Sequence, residues 1–428
     1  MNSRPNVLFV FTDQQSAHAM TCAGNPHLHT PNMDALAAGG IRFTQSYCAA
    51  PVCGPSRASL TTGRLPHEHG VLVNGMIPDP KIPNVGELFR SAGYDTAWSG
   101  RWHLPDNGRD GKVRGFDVLH DPAAPLGLGH HGDGHVADVA IDFLKKWHQR
   151  PFFLGVSLCN PHDICHWIMN PEPPPDNAVL PPLPENFEAD PHEAEFIRRC
   201  RERDHYGDEN TYTTDWDETQ WRRYLYAYYR YTEEVDVQVG RLLGALRENG
   251  LEENTIVLFT SDHGEGMAAH QWVVKLMLYE EPLRVPLIVR WPEHIAAKRV
   301  DDEHLVSGLD VLPTLCDLAG VEHTPVTGMS LKGLIEDPAI PGRPFVVAEL
   351  HPDTKDLRLE GRMLRTQRFK YVRFSEGGNP EMLFDLEVDP GERENLVAKE
   401  GMRGLLDEHR ALMRQWCGQT KDNFTFLL

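Results

Sequence analysis

Residues 6–11 (Asn-Val-Leu-Phe-Val-Phe) and 151–158 (Pro-Phe-Phe-Leu-Gly-Val-Ser-Leu) are apolar runs without polar alternation. Strands buried on both faces of a parallel sheet read this way. Residues 94–99 and 255–260 are two further strand-like runs. All four open onto polar sequence: Thr12-Asp13-Gln14-Gln15, Gly100-Arg101-Trp102-His103, Asn160-Pro161-His162-Asp163 and Ser261-Asp262-His263. Open α/β sheets bind ligands beyond the carboxyl ends of their strands, so the four ends converge on one candidate crevice. Residues 41–47 and 285–290 add extended chain.

Helical spacing fills the intervals. Residues 32–39 and 84–92 read as short helices, 136–147 as a longer one, and 310–318 as a helix with an acidic start. Trp221, Leu225, Tyr228, Thr232, Val235, Val239, Leu242 and Leu246 are spaced alternately by four and three, with Asp217 and Gln220 as a start signal and Gly250 as a stop. Such a seam serves a dimeric coiled coil or a helix that covers a sheet, and beside a parallel sheet the second reading is preferred. Residues 165–217 are proline-rich and polar with only fragments of helix, as a functional loop or lid would be. From Pro344 the chain turns to short extended pieces at 345–350, 363–366, 369–374 and 382–386, then a helix near 402–416. The expected fold is α/β: a large mixed sheet flanked by helices over residues 1–344, and a smaller antiparallel sheet with a terminal helix over 345–428.

Composition narrows the partners. The chain has 428 residues, enough for one large domain and a smaller one, and carries 42 Lys and Arg against 62 Asp and Glu. A formal charge of -20 repels nucleic acid and anionic membrane surfaces alike. An anionic substrate is repelled too, so its site needs a local positive field. The eight cysteines lack the dense spacing of a disulfide scaffold and the paired C-x-x-C of a zinc site, which favours a reduced compartment. The first strand-like run begins at Asn6, leaving no room for a signal peptide, and no apolar run approaches a membrane span. The chain as given therefore reads as cytoplasmic.

Chemistry concentrates at Cys53-Gly54-Pro55-Ser56-Arg57, continued by Ala58-Ser59-Leu60-Thr61-Thr62-Gly63-Arg64. A turn glycine, a proline suited to a first helical turn and small residues closed by glycine read as a short helix with Cys53 at its mouth. Unpaired backbone N–H groups there favour negative charge and lower a thiol's pKa, and Arg57 one turn in adds a permanent charge. Taken alone, Cys53 is more readily a buried structural cysteine than a reactive one. Asp13 is a helix cap or a metal ligand on its own evidence. His67 and His69, two apart in a Pro/Gly loop, read as solvated loop residues, and His130, His131 and His135 likewise, with Asp133 as a cap.

Together these stretches resemble the type I sulfatases, the formylglycine-dependent family of the alkaline phosphatase superfamily. C-x-P-S-R with L-T-T-G-R is similar to that family's signature, Gly100-Arg101-Trp102-His103-Leu104 to its G-K-W-H-L, Pro161-His162 to its P-H element and Ser261-Asp262-His263-Gly264 to its second metal element. The run Lys275 to Pro286 has its K-x-x-x-Y-E-E-x-x-R-V-P form. The resemblance implies an alkaline-phosphatase-like fold and hydrolysis of a sulfate ester, with Cys53 converted to formylglycine by a maturation enzyme. It also implies a divalent cation, Ca2+ with Mn2+ or Mg2+ as alternatives, on Asp13, Gln14, Cys53, Asp262 and His263. Gln14 stands where the family usually has a second Asp, and Arg101 where it has Lys. Arg57, Arg101, His103, His162 and Lys275 map onto its catalytic positions, while Asn74, Asp163, His166, Trp167 and His270 are expected at the substrate. The expected partner is a sulfated small molecule or glycan. Choline or aryl sulfates, phosphonate monoesters and phosphodiesters are the alternatives, and an unmodified Cys53 would leave an anion binder without turnover.

Overall fold

The computed structural model describes residues 4–105, 113–120, 129–146, 148–202 and 213–424. Its main sheet is built from β1 (Asn6–Asp13), β2 (Ile41–Phe43), β4 (Asp95–Gly100), β5 (Asp117–His120), β6 (Phe152–Pro161), β7 (Thr255–Ser261), β8 (Leu287–Arg290) and β9 (Arg299–Asp301). The eight strands lie in the order β5-β4-β6-β1-β7-β8-β2-β9. β1 runs parallel to β6 on one side and β7 on the other, and β4 parallel to β6, while β8 is antiparallel to β7. β3 (Ser46–Tyr47) pairs with β10 (Val306–Ser307) apart from this sheet. The continuous run expected over 41–47 is thus divided between two sheets.

Side chains explain why the central strands show no alternation. Val7, Phe9 and Phe11 of β1 join Phe89, Trp98, Phe116 and Phe153 on one face. Leu8 and Val10 face Val235, Val239, Leu242 and Leu246 of the Glu218–Glu248 helix on the other. With both faces covered, burial removes polar residues from every position. The seam residues from Trp221 to Leu246 are all buried, so the long helix covers the sheet. Gly155 of β6 lies under the Trp98 ring, and a Cβ there would overlap the indole carbons. Gly100, at φ 103, ends β4 against the Ser157 carbonyl and turns the chain toward Arg101.

β11 (Phe345–Leu350), β12 (Gly361–Thr366), β13 (Phe369–Phe374) and β14 (Glu381–Asp385) form the expected small antiparallel sheet. The Arg403–Thr420 helix packs on it through Leu406, Met413 and Trp416. Its other face shares a core with Tyr47, Val52 and Leu276 to Tyr279, which brings the turn after β11 beside the ends of β1 and β7.

Two groups of histidines differ from expectation. The helix expected over 136–147 spans Gly129–Leu144, so His130, His131 and His135 are helical. Asp133 caps nothing there. It lies one turn inside and accepts from the backbone N–H groups of Cys159 (2.7 Å) and Asn160 (2.8 Å). The helix start is held instead by Asp163, which accepts from the N–H groups of Gly129 (2.9 Å) and His130 (2.8 Å). His67 and His69 occupy a one-turn helix, Pro66–His69, rather than a solvated loop. His69 is fully buried and meets Ser59 Oγ at 3.0 Å.

His67 joins the active-site helix connection to both C-terminal elements. Its Nδ1 lies 2.6 Å from Glu349 Oε1 of β11, and its Nε2 lies 3.1 Å from the Thr420 carbonyl. Burial opposes its charge, but Glu349 and the Thr420 carbonyl outweigh that and raise its pKa to about 9. A folded pKa above the unfolded value near 6.5 stabilises fully below that value and is lost as pH rises through about 9. The thermal midpoint of the parent should therefore fall between pH 7 and 9.5 more steeply than that of His67→Gln. Parallel curves in a pH series of thermal melts would remove the His67–Glu349 pair as a stabilising element.

Candidate active site

The Cys53–Thr62 helix is buried at every residue. Its N-cap is Val52, which offers no side-chain acceptor, and Pro55 in the first turn carries no N–H. Asn74 narrows the mouth by accepting from Gly54 N at 2.7 Å. One turn inward, Arg57 reaches groups on or just after four strands. Its Nη2 donates to Asp13 Oδ2 (2.8 Å) after β1, and its Nε to Asp262 Oδ2 (2.8 Å) after β7. Its Nη1 donates to the Arg101 carbonyl (2.6 Å) after β4 and to Ser157 Oγ (3.2 Å) in β6. The guanidinium also lies over the Phe11 ring, 5.1 Å from its centroid.

Arg57 takes the Oδ2 atoms; Oδ1 of Asp13 is turned toward Cys53, while Oδ1 of Asp262 accepts from the backbone N–H groups of Gln14 (3.0 Å) and His263 (2.8 Å). Cys53 Sγ is 3.2 Å from His263 Nε2 and 3.7 Å from Asp13 Oδ1. His263 Nε2 is 3.6 Å from Asp262 Oδ1 and 3.9 Å from Asp13 Oδ1. Since a carbonyl only accepts, the contact of His263 Nδ1 with the Gly264 oxygen (2.8 Å) fixes that nitrogen as a donor and turns Nε2 into the cluster. One ligand atom from each of Asp13, Cys53, Asp262 and His263 lies within 4.8 Å of the others, all buried.

This donor set fits a divalent cation. Burial opposes ionisation of Asp13, but the charges of Arg57, Lys275 and Arg101 hold its pKa well below the carboxylate range. Burial and the charge of Asp13 push Asp262 the other way. One guanidinium thus serves two buried carboxylates, and a cation between them relieves the remaining repulsion. Two carboxylates with one imidazole accept Ca2+, Mg2+ or Mn2+ in kind.

Opposite the cluster stands a cationic wall. Arg101 Nη1 is 3.4 Å from Asp13 Oδ2, and its Nη2 donates to His103 Nε2 at 2.9 Å. Lys275 Nζ donates to Gln14 Oε1 at 2.6 Å. Burial opposes the Lys275 charge, yet Cys53, Cys165, Asp13 and Asp262 hold it protonated well above the ordinary lysine range. Burial and Asp13 push the Cys53 thiol up, and Lys275, His263 and a hydrogen bond from His103 outweigh them and hold it well below. His162 is lowered to about 3 by burial and by Lys275. Backbone strain collects at these positions. Gln14 (φ 75), His103 (φ 65), Val274 (φ 58) and Leu276 (φ 75) are all left-handed, which for β-branched Val274 is costly.

A cavity of 250 Å3 opens beside this wall, lined by Val52, Val73, Asn74, His162, Cys165, Val274, Lys275, Leu276, His351 and Thr354. Two expected positions, Asn74 and His162, lie in it together with Lys275. The others are turned elsewhere. Asp163 is spent on the Gly129–Leu144 helix, and Trp167 is buried against Trp216 and Tyr224. His166 lines a separate 500 Å3 depression with His130, Tyr231 and Glu234. His270 stacks on Tyr279 with centroids 3.9 Å apart. His351 and Thr354 were invisible in the sequence, because they return to the site from the small sheet more than 70 residues after Lys275.

The comparisons agree with this geometry. Residues 5–321 match the sulfatase family model, and residues 268–418 match a model described as N-sulphoglucosamine sulphohydrolase, C-terminal. A Delta 4,5-hexuronate-2-O-sulfatase of Bacteroides thetaiotaomicron is 32% identical, over 99% of this chain and 91% of its own. The solved structure of a 2-O GAG sulfatase is 31% identical and superposes with a TM-score of 0.88, covering 99% of this chain and 94% of that one. That of a phosphonate monoester hydrolase of Agrobacterium radiobacter reaches 0.84 at 25% identity, covering 97% and 96%. With the family model spanning three quarters of its length and the strand-end cluster in place, the chain belongs to the sulfatase family of hydrolases, of alkaline-phosphatase-like fold.

Proposed function

We propose that this protein hydrolyses a sulfate ester on a carbohydrate, using Cys53 as formylglycine and a divalent cation held by Asp13, Asp262 and His263. The carrying observation is Cys53 at a buried helix N-terminus, 3.2 Å from His263 Nε2 and 3.7 Å from Asp13 Oδ1, next to a cationic wall. The thiol stands in for the modified residue. Once converted by a maturation enzyme, the residue supplies a hydrated aldehyde whose hydroxyl is the nucleophile toward sulfur. The cation supplies Lewis-acid polarisation of a sulfate oxygen and favours the ionised hydroxyl.

The remaining work falls to side chains. Arg57, with its donors committed to Asp13, Asp262, Arg101 and Ser157, fixes the ligand carboxylates. Arg101 and Lys275 bring positive charge to the crowded oxygens of the transition state. His162 is neutral in the free site at neutral pH, so the proton held there for the leaving alcohol is on Lys275. A sulfate placed against His162 adds negative charge and draws its pKa upward, making it a hydrogen-bond donor to the same oxygen. His103, which donates a hydrogen bond to Cys53, stands beside the residue that replaces the thiol. Asn74, His351 and Thr354 line the space beyond the sulfate.

The carbohydrate assignment is supported by the sulfated-sugar substrates named for the relatives and by a cavity that mixes polar and aliphatic walls. Phosphonate monoester hydrolysis is the second reading, favoured by the Agrobacterium radiobacter likeness and by the Gln14 and His263 pattern. Protein co-expressed with a formylglycine-generating enzyme should show its highest kcat/KM on a sulfated sugar in a panel that includes 2-O-sulfated hexuronates, an aryl sulfate, choline sulfate, a phosphonate monoester and a phosphodiester. A lead of about tenfold or more corresponds to a single well-made polar contact in the pocket. A higher kcat/KM on either phosphorus ester overturns the ranking.

Metal content tests the cluster separately. The parent should carry about one equivalent of divalent cation by elemental analysis, and Asp262→Asn should lose it, because removing one charged ligand weakens a hard-cation site at least as much as the ~10–100-fold cost of disturbing an outer partner. Equal content in both proteins would dismiss the cluster as the cation site.

A further inference from the structure

Glu265 lies two residues beyond His263, is fully buried, and is absent from the roles assigned above. Its carboxylate collects three donors from three parts of the fold. Oε1 accepts from the Tyr224 hydroxyl of the long helix and from the N–H of Val274, and Oε2 accepts from Nε2 of Gln14. No donor is left to chance in this arrangement: a carboxylate only accepts, and all three neighbours donate.

The consequence reaches Gln14 and Lys275 together. With its NH2 on Glu265, the Gln14 amide has one orientation, and Oε1 is turned to Lys275 Nζ at 2.6 Å. The reversed amide would set oxygen against carboxylate and NH2 against ammonium. The backbone of Lys275 is held by the same carboxylate, since Val274 keeps its strained φ of 58 with its N–H committed to Glu265. Gly266 closes the turn by donating to the Val274 carbonyl at 2.6 Å. Where the family pattern has a carboxylate at position 14, this chain carries a neutral amide there and a buried carboxylate directly behind it.

We propose that Glu265 is a positioning residue that sets the orientation of Gln14 and Lys275, and that Gln14 and Glu265 work as an amide–carboxylate pair in which the charge has moved one shell outward. The inference rests on the sulfatase reading of the site. It is tested by exchanging the pair: Glu265→Gln, Gln14→Glu and the double variant Gln14→Glu/Glu265→Gln, each after Cys53 conversion.

Each single variant should lose about 10–100-fold in kcat/KM on the parent's best substrate, as outer-sphere partners of metal sites do, Glu265→Gln by freeing the amide and Gln14→Glu by facing two carboxylates. The double variant restores one amide, one carboxylate and the net charge, and should return to within about tenfold of the parent. Thermal midpoints, which need no substrate, should follow the same order, lowest in Gln14→Glu and recovered in the double. A purely structural Glu265 gives a double variant no better than its worse parent single in either measurement, and that result overturns the pairing. Parent-like kcat/KM in Glu265→Gln overturns it as well. Failure of the sulfatase reading is seen differently, as a parent that turns over no sulfate while the midpoints still report on the pair.

Discussion

A single buried guanidinium holds the working end of this molecule together. Arg57 bonds to groups that follow or belong to β1, β4, β6 and β7, and those four strands are neighbours across the centre of the sheet. Two of its bonds are ion pairs with carboxylates that have no exposure to water. Breaking a buried pair by removing one partner costs about 3–5 kcal/mol, and here one removal strands two charges. The same fork decides which oxygens remain for chemistry. By engaging Oδ2 of Asp13 it leaves that residue's Oδ1 turned toward Cys53, while Oδ1 of Asp262 takes the backbone N–H groups of Gln14 and His263. Stability of the strand ends and the shape of the cation cluster are therefore one interaction seen from two sides.

Charge is arranged on the same principle of local compensation. The chain as a whole carries -20, yet Arg57, Arg101 and Lys275 stand within one crevice, with His103 and His162 beside them. Lys275 is held protonated by the thiol and carboxylates around it, while His162, with Lys275 next to it, stays neutral. An anion entering this space meets positive charge that the outer surface does not offer. Strain is concentrated here too, at Gln14, His103, Val274 and Leu276, on residues whose side chains meet the crevice or its cation wall.

Much of this was legible in the sequence for a physical reason. Strands covered on both faces leave unbroken apolar runs, so β1 and β6 stood out, and the polar residues at their ends marked the crevice. The hairpins of the small sheet were equally plain, because short extended runs alternate with turns. What failed was pairing over distance. Nothing near Asp133 or Asp163 in sequence reveals that Asp133 accepts from Cys159 and Asn160 while Asp163 caps the Gly129 helix. His67 and His69 looked solvated because their partners, Glu349 and Ser59, are supplied by tertiary packing. Gln14 read only as a departure from the family's second Asp because Glu265, the carboxylate behind it, lies 251 residues away.

The central claim is that turnover belongs to the residue made from Cys53 within the Arg57-braced cluster. Preparations spanning a range of Cys53 conversion, quantified by peptide mass spectrometry, give the most direct measurement. The account predicts kcat per total protein proportional to the converted fraction, with an intercept of zero, at unchanged KM. Equal kcat in fully converted and wholly unconverted protein would contradict it.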